Sequence, residues 1–293
     1  MTFIIPFLLL FLLASCANEV EPAPVEISPE AQPTQPVKPE QVVEAEPEPT
    51  PEEIYAALKQ DMIQTYSERI PVSWGEQVPG VLTHIDTEDK VVALTFDACD
   101  GSLDSYDHAL MEFLIDAQIP ATLFVGGQWI EAYEDDFMAL ADNDLFEIAN
   151  HGYLHQPLSV NGQSAYGIPG TEDIAAAFDE IYFNQVKIEE LIGEMPRYFR
   201  AGTAYYDEVA VEMANELGVK VVNYNSLGDA GGTFNHEQIV STLEQATPGA
   251  IYLFHMNQPQ SAIASGVQEG VRRLQEQGYQ FVQLRDYDAQ LSE

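Results

Sequence analysis

An α/β domain built on a parallel sheet is the fold class this sequence predicts, and three observations predict it. Short apolar runs recur without polar alternation, as in strands covered on both faces. Amphipathic stretches of helical period lie between them. The strand-then-helix rhythm returns about seven times from Lys90 onward. The predicted strands are Val91–Asp97, Ala121–Val125, Phe146–Asn150, Tyr198–Arg200, Val219–Tyr224, Ala250–Phe254 and Gln280–Leu284. Ile174–Ile192 and Ser261–Gln277 are predicted as amphipathic helices between strands. Strand count alone leaves a closed barrel and an open sheet both available.

Upstream of the strands the chain changes character twice. Pro51-Glu52-Glu53 puts a proline and two acids at a helix start, and Ile54, Leu58, Met62 and Tyr66 then share one predicted face. Pro71 to Pro79 interrupts that pattern. Between Ala17 and Pro51 stand nine prolines and eight glutamates against one lysine, Lys38. Proline stiffens such a segment and like charges extend it, so 35 residues reach on the order of 100 Å at about 3.1 Å each. The expected organisation is a signal over residues 1–15, a disordered tether over 16–52, a helical extension over 53–85 and the main domain over 86–293.

The N-terminus reads as an export signal. Phe3 to Leu13 is nearly unbroken Phe, Ile and Leu, too short to span a bilayer comfortably. It runs into Leu13-Ala14-Ser15-Cys16, which resembles the bacterial lipobox whose cysteine is acylated. The expectation is an extracytoplasmic protein held to a membrane only through lipid on Cys16. No Lys or Arg precedes the apolar run. The second cysteine is Cys99, so acylation of Cys16 leaves no intramolecular disulfide.

Charge narrows the partners. Forty-eight acidic residues face eleven basic ones, a formal net charge of −37. Repulsion from phosphate makes nucleic acid and anionic headgroups poor ligands.

In parallel α/β folds functional groups collect at the carboxyl ends of strands. The first predicted strand ends in Thr95-Phe96-Asp97-Ala98-Cys99-Asp100-Gly101 and the third in Asn150-His151-Gly152-Tyr153-Leu154-His155. The fourth ends at Arg200, the fifth near Asp229 and the sixth at His255. Of six histidines, three fall at these ends. One rim is therefore expected to carry acids, imidazoles and a guanidinium together.

These segments resemble the polysaccharide deacetylases with a NodB-type domain, carbohydrate esterase family 4. The resemblance runs from about Val81 to the C-terminus. Leu94-Thr95-Phe96-Asp97 is similar to the family's first motif, His151-Gly152-Tyr153-Leu154-His155-Gln156-Pro157 to its histidine motif, and Tyr198-Phe199-Arg200 to the opening of its arginine motif. Pro248-Gly249-Ala250-Ile251-Tyr252-Leu253-Phe254-His255 is similar to its last motif. The resemblance implies a distorted (β/α) barrel of about seven parallel strands. It also implies a hydrolase that removes acetyl groups from peptidoglycan or another acetylated polysaccharide with a divalent metal such as zinc. Asp97 would be the general base, Arg200 its partner, His255 the general acid and Asp229 the residue that orients His255. A backbone N–H near Thr203 would stabilise the oxyanion. Tyr205, Tyr206 and Trp129 are the aromatics expected to stack on sugar rings.

The first motif departs from the family's adjacent aspartate pair, because Ala98 stands in the second place. One reading transfers the metal-ligand role to Asp100, beside His151 and His155. A second leaves the two histidines, with water or Asp97 completing the site. A third uses a Cys99 thiolate, although an inert buried thiol ranks ahead of that reading. Gly152, Ala201-Gly202-Thr203-Ala204 and Met256-Asn257 also differ from the family's usual residues. A non-catalytic glycan-binding domain is the competing class.

Overall fold

The computed structural model describes residues 48–293. The expected export signal, Cys16 and all but the last residues of the expected tether lie outside the described residues. Pro49–Glu293 makes one compact unit.

Seven parallel strands form its frame: Val91–Ala98, Ala121–Val125, Phe146–Asn150, Tyr198–Phe199, Lys220–Val221, Ala250–His255 and Gln280–Val282. The first strand lies between the sixth and the second, and pairing continues through the third and fourth to the fifth. The seventh pairs with the start of the first. A short segment then curls the sheet into a distorted barrel. Leu82 bridges Val222 beyond the fifth strand, donating to the Val221 carbonyl at 2.9 Å and accepting from Asn223 N at 2.7 Å. Two residues later His84 pairs antiparallel with Ala250 of the sixth strand.

The strand period of two decides what faces inward. Val92, Leu94 and Phe96 join Ala250, Tyr252 and Phe254 in the core beneath the outer helices. Ala93 and Ile251 belong to the interior cluster with Phe124, Ala149 and Tyr198. By that alternation Thr95, Asp97, Leu253 and His255 also face the interior, and Asp97 lies directly opposite His255 in the ladder. The sequence therefore places one acid and one imidazole side by side at the carboxyl edge.

Three expectations shift, the simplest being the seventh strand, which ends at Val282 ahead of a 3-10 turn over Leu284–Tyr287. The fifth strand stops at Val221, because Asn223 turns its side-chain amide to the carbonyls of Glu76 (2.8 Å) and Ala204 (3.0 Å). The N-terminal helix spans Pro51–Tyr66, with Thr50 and Glu53 closing a capping box. Ile54 and Leu58 are largely exposed on it, whereas Met62 and Tyr66 are buried. The packed face runs instead through Tyr55, Lys59, Met62 and Tyr66. Tyr55 stacks on Phe183, and Lys59 reaches Asp179, both on helix Ile174–Ile192. Tyr55 and Lys59 thus replace Ile54 and Leu58 in the first half of the helix, while Met62 and Tyr66 stay on the packed face as expected.

Gly249 opens the sixth strand with φ +75°, and an added Cβ would lie 2.0 Å from the Ile85 carbonyl oxygen. Gly249→Ala therefore meets both a disfavoured backbone angle and a backbone clash at the point of barrel closure. We expect it to lower unfolding free energy by about 2 kcal/mol or more, measured by chemical denaturation. Gly193, also at positive φ but with open space around it, should tolerate alanine with a smaller loss.

Candidate active site

The rim is organised around Arg200, whose side chain is completely buried. Nη1 donates to Asp97 Oδ1 at 2.7 Å and to Thr95 Oγ1 at 2.8 Å. Nε donates to the Val222 carbonyl at 3.2 Å and Nη2 to the Asn223 carbonyl at 2.8 Å. The guanidinium also lies 4.0 Å from the Phe124 ring centroid. Burial alone would raise the Asp97 carboxyl, but Arg200, with His151 and His255 nearby, outweighs it and holds the group below its usual range. Asp97 Oδ2 faces His151 Nε2 at 3.7 Å.

His151 is fixed from behind. Its Nδ1 lies 2.9 Å from the Arg200 carbonyl, which can only accept, so Nδ1 is the donor there and Nε2 is the ring nitrogen left on the Asp97 and Cys99 side. The loop that follows is held by two buried side chains. Asn150 Oδ1 accepts from Gly152 N at 2.8 Å, and Glu180 accepts from the N–H groups of Leu154 (2.9 Å) and Gln156 (3.0 Å). Gly152 sits against that carboxylate: a Cβ there would approach Glu180 Oε1 to 2.3 Å. The bracing of this loop thus comes from Asn150 and Glu180.

Cys99, His151 and His155 each offer one ligand atom, and these atoms lie within 4.8 Å of one another. Cys99 Sγ is 3.8 Å from His151 Nε2. Burial would push the thiol up, but the charge of His155 and hydrogen bonds from the surrounding histidines bring it well below its usual value. Asp100 is not brought into this cluster. Its carboxylate accepts from Ser102 N and Oγ and from Ser105 Oγ, and it lines a separate, open depression with Gln128 and Glu131. The strand ends at Ala98; Cys99 just past it stays on the pocket beside Asp97, whereas Asp100 is drawn off by Ser102 and Ser105.

His255 completes the rim. Its Nδ1 lies 2.9 Å from Asp229 Oδ1, and its backbone N–H donates to Asp229 Oδ2 at 2.6 Å. Burial would lower this imidazole, but the hydrogen bond to Asp229 and its charge raise it well above the usual value. Asp229 is fully buried and follows a two-residue strand, Ser226–Leu227, that pairs with the sixth strand.

Asp97, Cys99, His151, His155, Thr203 and His255 all line one pocket of about 610 Å³. Seven non-glycine residues among those described have positive φ, and five of them (His155, Tyr166, Thr203, Ala204 and Ala230) line this pocket. Each costs on the order of 1 kcal/mol, and such strain concentrates where function fixes the backbone. Tyr205 stands beside the pocket, against Trp74 and Tyr166. Tyr206 and Trp129 do not reach it as sugar platforms. Both are fully buried, and Trp129 donates its indole N–H to the Ser105 carbonyl at 2.7 Å while stacking on Tyr133. Glu76, Tyr166 and Tyr224 line the pocket and were not singled out by their sequence context.

Fold and rim together define an α/β-barrel protein with an acid–base site at its strand ends. The sequence profile described as "Polysaccharide deacetylase" matches residues 84–222. Over that stretch, somewhat under half of its length, the chain matches the polysaccharide deacetylase family. It is 23% identical over 229 residues to the peptidoglycan-N-acetylmuramic acid deacetylase PdaA of Bacillus subtilis, covering 74% of this chain and 80% of that one. An uncharacterized protein of Streptomyces coelicolor is 26% identical over 215 residues, 73% of this chain and 79% of that protein. Among solved structures, a carbohydrate esterase family 4 pseudoenzyme from Bacillus anthracis superposes with a TM-score of 0.61 at 19% identity, covering 72% of this chain and 69% of its own.

Removing one partner of the Asp97–Arg200 pair leaves the other charge buried without compensation. Arg200→Met should cost about 3–5 kcal/mol of stability, and the double variant Asp97→Asn, Arg200→Met less than the sum of the single variants. Denaturant unfolding of all four proteins measures that coupling. Strict additivity would show that the pair does not organise the rim.

Proposed function

We propose that this protein is a metal-dependent N-deacetylase of an extracytoplasmic polysaccharide. The observation that carries this reading is the direct opposition of Asp97 and His255 on neighbouring strands, beside the Cys99–His151–His155 cluster in one pocket. The donor set suits a metal such as zinc: one thiolate sulfur and two imidazoles are close enough to share an ion, and His151 has its remote nitrogen anchored. A divalent ion held there would polarise an acetyl carbonyl and lower the pKa of water.

The chain's own residues account for the proton movements. Asp97, kept ionised by Arg200, takes a proton from water as its oxygen bonds to the acetyl carbon. The C–N bond then breaks, and His255 delivers its proton to the departing nitrogen. Asp229 holds Nδ1, which leaves Nε2–H as the proton that is given. Acetate and a free amine are the products. An ester would serve as an alternative substrate with less need for His255, because an alkoxide leaves more readily than an amide nitrogen.

A glycan-binding protein without catalysis is the second reading, favoured by Ala98 in the place of the usual second aspartate. We also propose that Cys16 is acylated and tethers the domain to a membrane outside the cytoplasm, on the strength of the apolar run and the Leu13–Cys16 tetrapeptide. In that case Cys16→Ala should move the protein from the membrane to the soluble fraction.

Acetate release from N-acetylated glycan oligomers decides between enzyme and binder. The enzyme reading expects metal-supported release that Asp97→Asn lowers by about 10²-fold or more. Glycan binding without acetate release under any metal would leave the second reading. The acid's role has a pH signature. A general acid acts while protonated, so activity falls as pH rises through its pKa. Asp229 raises that pKa, and Asp229→Asn should therefore move the alkaline limb of kcat/KM to lower pH. The cobalt-loaded protein tests the thiolate directly: a sulfur-to-cobalt charge-transfer band should be present and should vanish in Cys99→Ser.

A further inference from the structure

The pocket wall carries a carboxylate that the proton chemistry does not use. Glu76 comes from the short segment Trp74–Gly75 and its neighbours, which precede the residues matched by the family profile. Trp74 and Gly75 pair antiparallel with Asp207 and Tyr206, and Trp74 packs against Tyr205. That pairing lays the segment along the pocket. The Glu76 carbonyl accepts from Asn223 Nδ2 at 2.8 Å, and the Asn223 carbonyl accepts from Arg200 Nη2 at 2.8 Å. Arg200 in turn holds Asp97. Glu76 is thus fixed relative to the proposed base by three hydrogen bonds in series. Its side chain stays at the pocket, where Oε1 accepts from the Tyr166 hydroxyl at 3.1 Å.

The rest of the lining makes that charge decisive. No lysine or arginine side chain lines the pocket among the described residues, and the buried Arg200 is already committed to four oxygens. A sugar that carries its own carboxylate finds no lysine or arginine beside Glu76 to pair with and meets that carboxylate instead. Sugar hydroxyls meet tyrosine hydroxyls, the Asn225 amide and a carboxylate acceptor, all of which hydrogen-bond neutral rings.

We propose that Glu76 is a specificity-determining residue, a charge filter that excludes glycans bearing a carboxylate next to the reacting acetamido sugar and admits neutral N-acetylglucosamine-type chains. This rests on the proposed function above. It separates this chain from the relative whose name specifies N-acetylmuramic acid, a sugar with a lactyl carboxylate.

Calorimetric binding tests the filter independently of turnover. The probes are an N-acetylglucosamine tetrasaccharide and an alternating tetrasaccharide of N-acetylglucosamine and N-acetylmuramic acid without peptides. The full protein should bind the neutral chain more tightly. Glu76→Gln, which keeps an acceptor for Tyr166, should shift the ratio of the two dissociation constants by about tenfold towards the anionic chain, the effect of one partly screened charge. Raising the salt concentration on the unaltered protein should narrow the same ratio. A ratio that neither the substitution nor salt changes would overturn the filter. If the ratio shifts as expected and neither glycan releases acetate, the filter stands and the deacetylase reading falls.

Discussion

Arg200 has no exposed surface, yet it donates to four oxygens contributed by two separate stretches of chain. A buried guanidinium is tolerable only when its donors are matched, so the loops that carry those oxygens must close around it. Two of the acceptors are Thr95 and Asp97 of the first strand, and two are carbonyls just past the fifth. The Arg200 carbonyl then orients His151, and the Asn223 it engages holds Glu76. One side chain in the barrel interior thus sets the ionisation of the proposed base, the orientation of a candidate ligand histidine and the position of a wall residue.

The second constraint is the parallel ladder between the first and sixth strands. It pairs Ile251 with Ala93, Leu253 with Thr95 and His255 with Asp97. Interior residues are apolar at the start of that series and reactive at its end. Burial lowers the barrel's tolerance for charge, and each charged group at the rim accordingly has a partner: Asp97 has Arg200, and His255 has Asp229. Opposite protonation states follow from opposite partners, which is what paired acid and base work requires.

Much of this was legible in the sequence, for physical reasons. Ala121–Val125, Phe146–Asn150 and Ile174–Ile192 coincide with their predicted spans because continuous apolar runs and clear helical period left little choice. The fifth strand was overextended because Val219–Tyr224 reads as apolar while Asn223 is drawn to Glu76 and Ala204, residues distant in sequence. The first motif shows a subtler limit. Asp100 is the residue type a metal site suggests, but the strand ends at Ala98, and the loop beyond it keeps Cys99 on the pocket and gives Asp100 to Ser102 and Ser105. Those loop contacts carry no periodic signal in the sequence. Trp129 fails for the reason aromatics near strand ends often do: it is core. Glu180 and Glu76 carried no local signal, since each acts through contacts with distant segments.

Cys99, rather than Asp100, gathers with His151 and His155 beside Asp97 as the candidate metal cluster. Anomalous diffraction at the zinc edge from crystals grown with zinc addresses it most directly. The account predicts one strong peak bonded to Cys99 Sγ, His151 Nε2 and a His155 ring nitrogen, with Asp97 still paired to Arg200. A peak on the Asp100 carboxylate, or zinc-replete crystals with no peak between the two histidines, would contradict it.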